Sequence, residues 1–288
     1  MTVLAYELGV HNSRVILMKA LAILLVASCS TLFAHENNGR GVKAVALADA
    51  FVAVADNPWA VYYNPAGLVQ LRSPQACVFY VPQQFGIPLL NTKALAGGWN
   101  MNPCVIGAFV EQFGFDLYQT TDVAIGVGIV AGAGISAGAT VNVERVAIER
   151  YGASTNETVG VGLLGRPFDN VAIAFALRNL TATTIGVNRE RLPQCLLFGL
   201  CFTPFEDFRL VSEMEKDLQF PLVIKAGIEQ KVLGFLSFRC GVANNPDKFS
   251  AGIAIQYSSI EFGYAGYSHP DLGWTHQIEL AIQWDTAD

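Results

Sequence analysis

The chain has 288 residues, of which 52% are hydrophobic and 15% are charged, and its formal net charge is −6 at pH 7. No run of Lys or Arg forms the basic patch of a nucleic-acid-binding protein, so nucleic acid is excluded as a partner. The hydrophobic residues are spread over many short runs, which favours strands over a set of membrane helices.

The N-terminus carries the pattern of an export signal. A lysine precedes an apolar run at residues 20–27, and small residues follow the run. This run is too short to cross a bilayer as a helix, but it has the length of a signal-peptide core. We therefore assign residues 1–34 to a signal peptide and take Met18 as an alternative start. Cleavage after Ala34 is one prediction, and a lipoprotein-like box that makes Cys29 the first residue is the other.

Residues 35–73 differ from the rest of the chain because they are rich in alanine and aromatic residues and show no two-residue period. Pro58 suits the first turn of a short helix, which Asn57 or Asp56 would cap. We expect this segment to form a compact hatch rather than a pair of strands. A motif that would end the helix and allow close approach to a wall consists of Asn64, Pro65, Ala66, Gly67 and Leu68.

Residues 74–288 alternate between apolar and polar side chains. Leu222 and Ile224, for example, share one face of their run, and Val223 and Lys225 share the other. A long series of such strands is typical of a membrane-spanning β-barrel. We predict an all-β fold, a transmembrane antiparallel β-barrel of about fourteen strands with the short N-terminal hatch inside it. The predicted strands are 75–81, 93–101, 105–113, 118–130, 135–148, 157–164, 171–179, 196–203, 208–216, 221–231, 233–242, 248–257, 260–267 and 274–284.

The apolar stretch at residues 123–141 is the one interior segment long enough for a membrane helix. Its branched residues fall mainly at odd positions, and its glycines all fall at even positions. A helix does not sort residues in this way, whereas a strand does. We predict two strands whose small inner faces leave room for a plug. The alternation slips near Arg145, which a bulge or the membrane boundary would explain.

Six charged residues fall on the inner face of the predicted strands. They would either line a polar pore and contact the hatch, or pair with one another across neighbouring strands. The six lumen-facing polar residues are Arg178, Lys225, Glu229, Arg239, Glu261 and Glu279.

Aromatic residues cluster near the ends of the predicted strands, among them Phe79, Phe109, Tyr267 and Trp274. Membrane barrels carry aromatic girdles at both interfaces, although strands of soluble proteins also favour aromatic residues. We predict that these side chains form interfacial girdles.

The six cysteines contain no CxxC pair and no Cys/His grouping with zinc spacing. The histidines near the C-terminus have no third ligand in sight, so no metal and no cofactor are predicted. Cys195 and Cys201 are interpreted as apolar fillers that face the lumen or the lipid. A bridge between Cys77 and Cys104 is an alternative for the early strands.

Two short motifs resemble a nucleotide-binding loop and a hydrolase nucleophile elbow, but the residues around them do not fit either function. Residues 160–165 match GxGxxG, but a proline follows at residue 167, so no helix begins there to bind a phosphate. Residues 134–138 match GxSxG, yet both flanks are strands where a nucleophile elbow needs a helix. No catalytic residue is predicted. A barrel-borne hydrolase that pairs Ser136 with His276 is kept as the third hypothesis.

The segment Ala50–Leu68, with its AFVAVAD and NPAGL runs, resembles the N-terminal signature of the PorV/PorQ-like outer membrane proteins. That family is related to the FadL-type long-chain fatty acid transporters. Residues 241–252 and 268–276 look like the family's final hairpins. The resemblance implies a fourteen-stranded barrel with a hatch inside, located in the bacterial outer membrane. The chain is shorter than typical FadL transporters, which implies shorter extracellular loops.

The resemblance implies two non-enzymatic functions. FadL-type members carry hydrophobic compounds across the outer membrane, and PorV-type members bind cargo in type IX secretion. We expect first that hydrophobic small molecules bind or pass when the hatch is displaced, and second that secreted protein cargo or an envelope-assembly partner binds. The transport hypothesis predicts an apolar channel beside the hatch. The cargo-binding hypothesis predicts a sealed lumen and an extracellular rim with exposed apolar side chains. Under both hypotheses we expect outer membrane lipid to surround the barrel.

Overall fold

The computed structural model describes residues 39–185 and 190–284. Fourteen antiparallel strands form a closed barrel, and the pairing of the first strand with the last completes the ring. The predicted fold, a fourteen-stranded all-β barrel with a short N-terminal segment inside, is confirmed. The export signal assigned to residues 1–34 lies outside the described residues.

All fourteen predicted strands are present, most with bounds within three residues of the prediction. A short hairpin of β8 (Thr184–Ile185) and β9 (Glu190–Arg191), which the sequence pattern did not predict, lies between the seventh and eighth barrel strands in chain order and forms a separate sheet. The barrel strands are β1 (Gln75–Val81), β2 (Thr92–Asn100), β3 (Cys104–Phe115), β4 (Tyr118–Gly132), β5 (Ile135–Ile148), β6 (Gly152–Phe168), β7 (Val171–Arg178), β10 (Cys195–Phe205), β11 (Phe208–Asp217), β12 (Val223–Val232), β13 (Leu236–Ala243), β14 (Lys248–Tyr257), β15 (Ile260–His269) and β16 (Gly273–Gln283).

The N-terminal segment, residues 39–73, is called the hatch below. It contains α1 (Val42–Ala46), α2 (Ala60–Tyr63) and a 3₁₀-helix (Pro65–Gln70). The helix α2 begins after Trp59 without a side-chain cap, so the predicted cap by Asn57 or Asp56 does not form on it. The Asn57 side chain instead accepts a hydrogen bond from the Trp59 N–H at 3.1 Å in the turn before the helix. Neither helix of the described chain is long and apolar enough to cross a membrane.

The barrel has two distinct ends. The terminal end carries Gln75 and Gln283, the outer residues of the β1–β16 pair, and only tight turns join strands there. The opposite, loop end carries the longer connections, including residues 82–91 and 179–194. β5 pairs with β4 and β6 without a register shift at Arg145, so the bulge, one of the two explanations for the slip in alternation, does not form there. Arg145 instead faces outward near the loop end of its strand.

The two faces of the wall differ as the alternation predicts. Outward side chains such as Val78, Ile125, Leu163 and Leu280 are about half exposed and form an apolar belt. Such a belt is stable in lipid, and closure of the barrel pairs the backbone N–H and C=O groups of every strand with those of its neighbours. The inner faces bury the hatch, whose Phe51, Trp59, Tyr63 and Leu68 belong to the core.

The prediction of an aromatic girdle is only partly correct. Trp274 is exposed on the outer face, but Phe79, Phe109 and Tyr267 are buried in the lumen. Phe79 and Phe109 lie against the indole ring of Trp59, with ring centroids 5.7 and 6.0 Å away. These rings stabilise the hatch instead of lying at a membrane interface, because their strand positions point inward.

Candidate functional site

Glycines of the wall allow the hatch backbone to touch the barrel. A Cβ atom built on Gly138 would lie 2.3 Å from the carbonyl carbon of Pro65, and one on Gly128 would lie 2.7 Å from the Pro65 oxygen. A Cβ on Gly162 would lie 1.9 Å from the Asn64 side-chain oxygen. The small inner face predicted for residues 123–141 therefore accommodates the hatch. Gly162 is part of the GxGxxG match at residues 160–165, and it allows the hatch to pack here instead of binding a phosphate.

Asn64 joins three parts of the chain through one buried side chain. Its Nδ2 donates hydrogen bonds to the Val52 carbonyl at 2.9 Å within the hatch and to the Leu163 carbonyl at 3.2 Å on β6. Its Oδ1 accepts a hydrogen bond from the Ala66 N–H at 3.1 Å and so caps the 3₁₀-helix. Asn64 thereby ends α2, starts the next turn and attaches both to the wall.

The rest of the NPAGL motif fits the same structural reading. Pro65 occupies the first turn of the 3₁₀-helix, where no backbone N–H is needed. A Cβ on Gly67 would lie 2.4 Å from the Ala55 carbonyl oxygen, so only glycine fits there without movement. The Leu68 side chain fills the space above Gly107 of β3. The motif packs the hatch against strands β3 to β6.

Replacing Asn64 by alanine should destabilise the closed hatch. The substitution removes the hydrogen bonds of Asn64 to the Val52 carbonyl, the Leu163 carbonyl and the Ala66 N–H, at a combined cost of about 3 kcal/mol. Denaturant unfolding of the purified barrel in detergent measures this loss. Asn170→Ala in an exposed turn at the terminal end is the matched control. Equal unfolding midpoints for the two variants would contradict the anchoring role of Asn64.

The first charged cluster holds the start of the hatch near the loop end. Arg40 Nη2 lies 2.9 Å from the carboxylate of Glu111 and 2.7 Å from that of Asp122. Its guanidinium also covers the Tyr62 ring at 4.0 Å, and the guanidinium of Arg178 covers the same ring at 4.3 Å. Burial alone would lower the pKa of Arg40, but Glu111, Tyr62 and Asp122 together raise it well above its ordinary value.

The second cluster is the most deeply buried. Lys225 Nζ lies 2.9 Å from Glu213 Oε1 and 2.5 Å from Glu215 Oε2, and the side chains of all three are at most 6% exposed. The other oxygen of Glu213 accepts hydrogen bonds from the backbone N–H groups of Phe51 and Val52, both at 2.9 Å. A charged group of the wall thus holds the hatch backbone directly.

The third cluster joins the hatch to β11 and β12. Lys43 and Asp56 of the hatch pair at 2.8 Å, and Arg209 contacts both Asp56 and Glu229 at 3.0 Å. Burial alone would raise the pKa of Asp56, but Lys43 and Arg209 outweigh it and hold this pKa well below its usual range. Because the folded-state pKa is depressed, the stabilisation from Asp56 is present at neutral pH and is lost only in strong acid.

The remaining predicted charges extend this cluster toward the terminal end. Arg239 Nε lies 2.8 Å from Glu229, its partner in the β12–β13 register, and Arg239 Nη2 lies 3.8 Å from Glu261. Glu279 accepts a hydrogen bond from the indole Nε1 of Trp59 at 2.7 Å. The two interpretations of the inner charges therefore both describe real contacts, since these residues bind each other and also the hatch.

The structure places all six predicted charges in the lumen, but it adds partners that the sequence reasoning missed. Glu111, Asp122, Arg209, Glu213 and Glu215 also face inward and bind hatch residues or Lys225. Glu213 and Glu215 share the odd-numbered face of Val211, so the alternation of β11 contained the signal for both.

Cavities approach the hatch from both ends of the barrel. The loop-end cavity has a volume of about 470 Å³, and its wall combines the rings of Phe79, Phe113 and Tyr267 with polar groups such as Asp122 and Arg178. Two smaller cavities open at the terminal end. One of about 140 Å³ lies along β1 and β16, and one of about 170 Å³ lies beside β7, β10 and β11. The hatch separates these two from the loop-end cavity.

Ser136 and the histidines of the hydrolase hypothesis are not brought together in the described parts of the chain. Ser136 lies at the terminal end of β5, whereas His269 lies at the loop end of β15. His276 faces outward and shares a 2.6 Å hydrogen bond with the Tyr264 hydroxyl. Among residues 39–185 and 190–284, no cluster of His, Cys, Asp and Glu could hold a metal ion. Cys77 and Cys104 are both free thiols, so the bridge considered between them does not form.

Comparison with known proteins places the fold. No protein-family model and no curated protein sequence matches the chain. The CymD monoaromatic hydrocarbon channel superposes with a TM-score of 0.61 at 11% identity, over 86% of this chain and 98% of that one. The Pseudomonas putida toluene transporter TodX gives 0.60 at 12%, over 86% and 98%. A Pseudomonas aeruginosa FadL homologue gives 0.57 at 13%, over 85% and 98%. The chain has the barrel fold of these FadL-type outer membrane proteins.

Proposed function

We propose that this protein passes hydrophobic small molecules across the bacterial outer membrane, with the hatch as the barrier. The observation that carries the proposal is the arrangement of cavities, which reach the same hatch from the two ends of a closed barrel. A barrel with a purely structural role needs neither cavity. The fold shared with CymD and TodX supports the same function.

The proposal gives the barrel an orientation. Outer membrane barrels have short turns on the periplasmic side and longer loops on the extracellular side. The loop end, with residues 82–91 and 179–194, is then extracellular, and the cavity of about 470 Å³ is the vestibule that receives a molecule from outside. Its aromatic walls suit an apolar body, and its polar groups keep it hydrated when empty.

Uptake by whole cells tests the proposal. We expect cells of a host that lacks its own hydrophobic-compound channel to take up radiolabelled toluene or oleate several-fold faster when they express the protein. Uptake of a labelled disaccharide, the control solute, should not change. A gel-mobility shift on boiling confirms in the same cells that the barrel is folded. Uptake equal to that of empty-vector cells, with folded barrel present, would overturn the proposal.

A second candidate function is binding of secreted protein cargo at the extracellular rim, as in the PorV-like hypothesis. The observation that favours it is a set of exposed apolar side chains at the loop end, namely Leu89, Leu117, Tyr151, Leu218 and Leu272. The uptake experiment separates the two candidates because a sealed, cargo-binding barrel transports no small molecule.

A further inference from the structure

Two of the cavities nearly meet along the β1–β16 pair. Phe79 of β1 and Gln277 of β16 line the loop-end cavity. Cys77 and Glu279, the next inward-facing residues on the same two strands, line the 140 Å³ cavity of the terminal end. Inward-facing neighbours on one strand are about 7 Å apart. The barrier between the two cavities is therefore one side-chain layer thick at this wall.

Trp59 occupies that layer. Its neighbour Pro58 lines the 140 Å³ cavity of the terminal end, and Tyr62, one helical turn later, lines the loop-end cavity. The indole of Trp59 is 0% exposed, lies edge-on to Phe79 and donates its N–H to Glu279. Glu279 also accepts a hydrogen bond from the backbone N–H of Val42, and the Cys77 thiol of β1 contacts the same indole. Among the described residues, no ion pair joins the hatch to β1 or β16.

The opposite side of the hatch is a thicker barrier. On β10, Cys195 lines the loop-end cavity and Cys201 lines the 170 Å³ cavity of the terminal end. The inward-facing residues between them, Leu197 and Gly199, separate the cavities by two further layers. Gly199 packs directly on the backbone of Ala53.

The attachments of the hatch follow the same asymmetry. Glu213 binds two backbone N–H groups of the hatch, and Arg209 and Glu229 bind Asp56 and Lys43. Arg40 is held by two carboxylates of β3 and β4. Opening on the β1–β16 side breaks hydrogen bonds from neutral donors and ring contacts of Trp59, whereas opening beside β11 and β12 or beside β3 breaks buried ion pairs.

From this geometry we propose that Trp59 is the gate of the barrel and that the route runs along β1 and β16. When the indole leaves Glu279, the cavities of the two ends join beside Phe79 while the ion pairs keep the rest of the hatch in place. This proposal rests on the proposed transport function, because it names the route and the residue that controls it.

Efflux from proteoliposomes tests the gate. We expect Trp59→Ala to release an entrapped small dye at least about tenfold faster than the wild type, because the layer between the cavities is removed. Trp59→Phe keeps a ring but loses the hydrogen bond to Glu279, and should raise efflux by less than about tenfold. Phe51→Ala, which removes an equally buried aromatic ring on the far side of the hatch, should leave efflux at the wild-type level.

A native thiol reports on the same opening. In a variant that keeps Cys77 and has Thr120→Cys as its only other thiol, an impermeant maleimide added to intact cells should label the thiol at position 120, which is half-buried in the vestibule wall, with or without the gate. Cys77 lies below the gate and should be labelled only in Trp59→Ala. If Trp59→Ala does not fold, Glu279→Ala removes the other partner of the hydrogen bond and should expose Cys77 in the same way.

The outcomes separate this proposal from the proposed function. Hydrophobic uptake by the wild type, together with an unlabelled Cys77 and unchanged efflux in Trp59→Ala, would overturn the gate and leave transport standing. Labelled Cys77 in Trp59→Ala, without uptake by the wild type, would support the route and overturn transport. Equal efflux in Trp59→Ala and Phe51→Ala would also overturn the gate, since any loss of hatch volume would then suffice.

Discussion

Lys225→Met should destabilise the barrel by about 3–5 kcal/mol, the cost of leaving one side of a buried ion pair without its partner. The substitution keeps most of the side-chain volume but leaves Glu213 and Glu215 facing each other without the ammonium group that now lies within 2.9 Å of both. Glu213, which also accepts the N–H groups of Phe51 and Val52, would lose its counter-charge. Denaturant unfolding in detergent, followed by the mobility of the folded barrel on a gel, measures the change.

The control for this prediction is Lys216→Met on the neighbouring strand, where the lysine is exposed and donates a hydrogen bond to the Phe220 carbonyl. That change should alter stability by no more than about 0.5 kcal/mol. Adding Glu213→Gln and Glu215→Gln to Lys225→Met should recover part of the loss, because the uncompensated charges disappear while the acceptor for the hatch remains. A stability of Lys225→Met equal to that of the control would show that this cluster does not hold the hatch.

The sequence predicts the barrel and the inner face well where the lumen is charged. In the C-terminal half, charged residues alternate with apolar ones, as at Lys225, Glu229, Arg239 and Glu279. This one pattern predicts both that the segments are strands and which side chains face the lumen. The inner surface there is polar because charged side chains bind the hatch and one another. The odd or even position of such a residue in its strand is enough to predict that it faces the lumen, even when its binding partner is unknown.

The inner face of the early strands is harder to predict for a physical reason. Residues 75–81 are almost uniformly apolar, because one face meets lipid and the other meets the apolar core of the hatch. Phe79 and Phe109 therefore look like girdle residues, although they pack on Trp59. A run that is apolar on both faces resembles any buried strand.

The position of the hatch within the barrel is also beyond the reach of the strand pattern. Arg40 finds Glu111 and Asp122, while Asp56 finds Arg209, and these contacts join residues 71 to 153 positions apart. Strand alternation specifies which residues face inward, but it does not specify the orientation of a non-periodic segment that fills the lumen. That orientation determines where the cavities lie, and hence where the barrier is thin.

Gly138→Ala should displace the hatch from β5, and it is the smallest change that tests whether the wall is shaped for the hatch. The new methyl group would lie 2.3 Å from the Pro65 carbonyl carbon and 2.5 Å from the Ala66 nitrogen. Both atoms belong to the hatch backbone, which cannot rotate aside as a side chain can. We expect a loss of about 1–3 kcal/mol, together with faster cleavage of the hatch by a protease added to the folded barrel in detergent.

Gly165→Ala provides the matched control, because the nearest atom to its methyl group, the Ile173 carbonyl oxygen, lies 4.0 Å away. Its stability and protease resistance should equal those of the wild type. If Gly138→Ala resisted the protease equally well, the wall would tolerate side chains beneath the NPAGL motif, and the glycines would serve the strand rather than the hatch. If the hatch is cleaved while the barrel still shows its mobility shift on boiling, the hatch is a separable barrier, as a transport function requires.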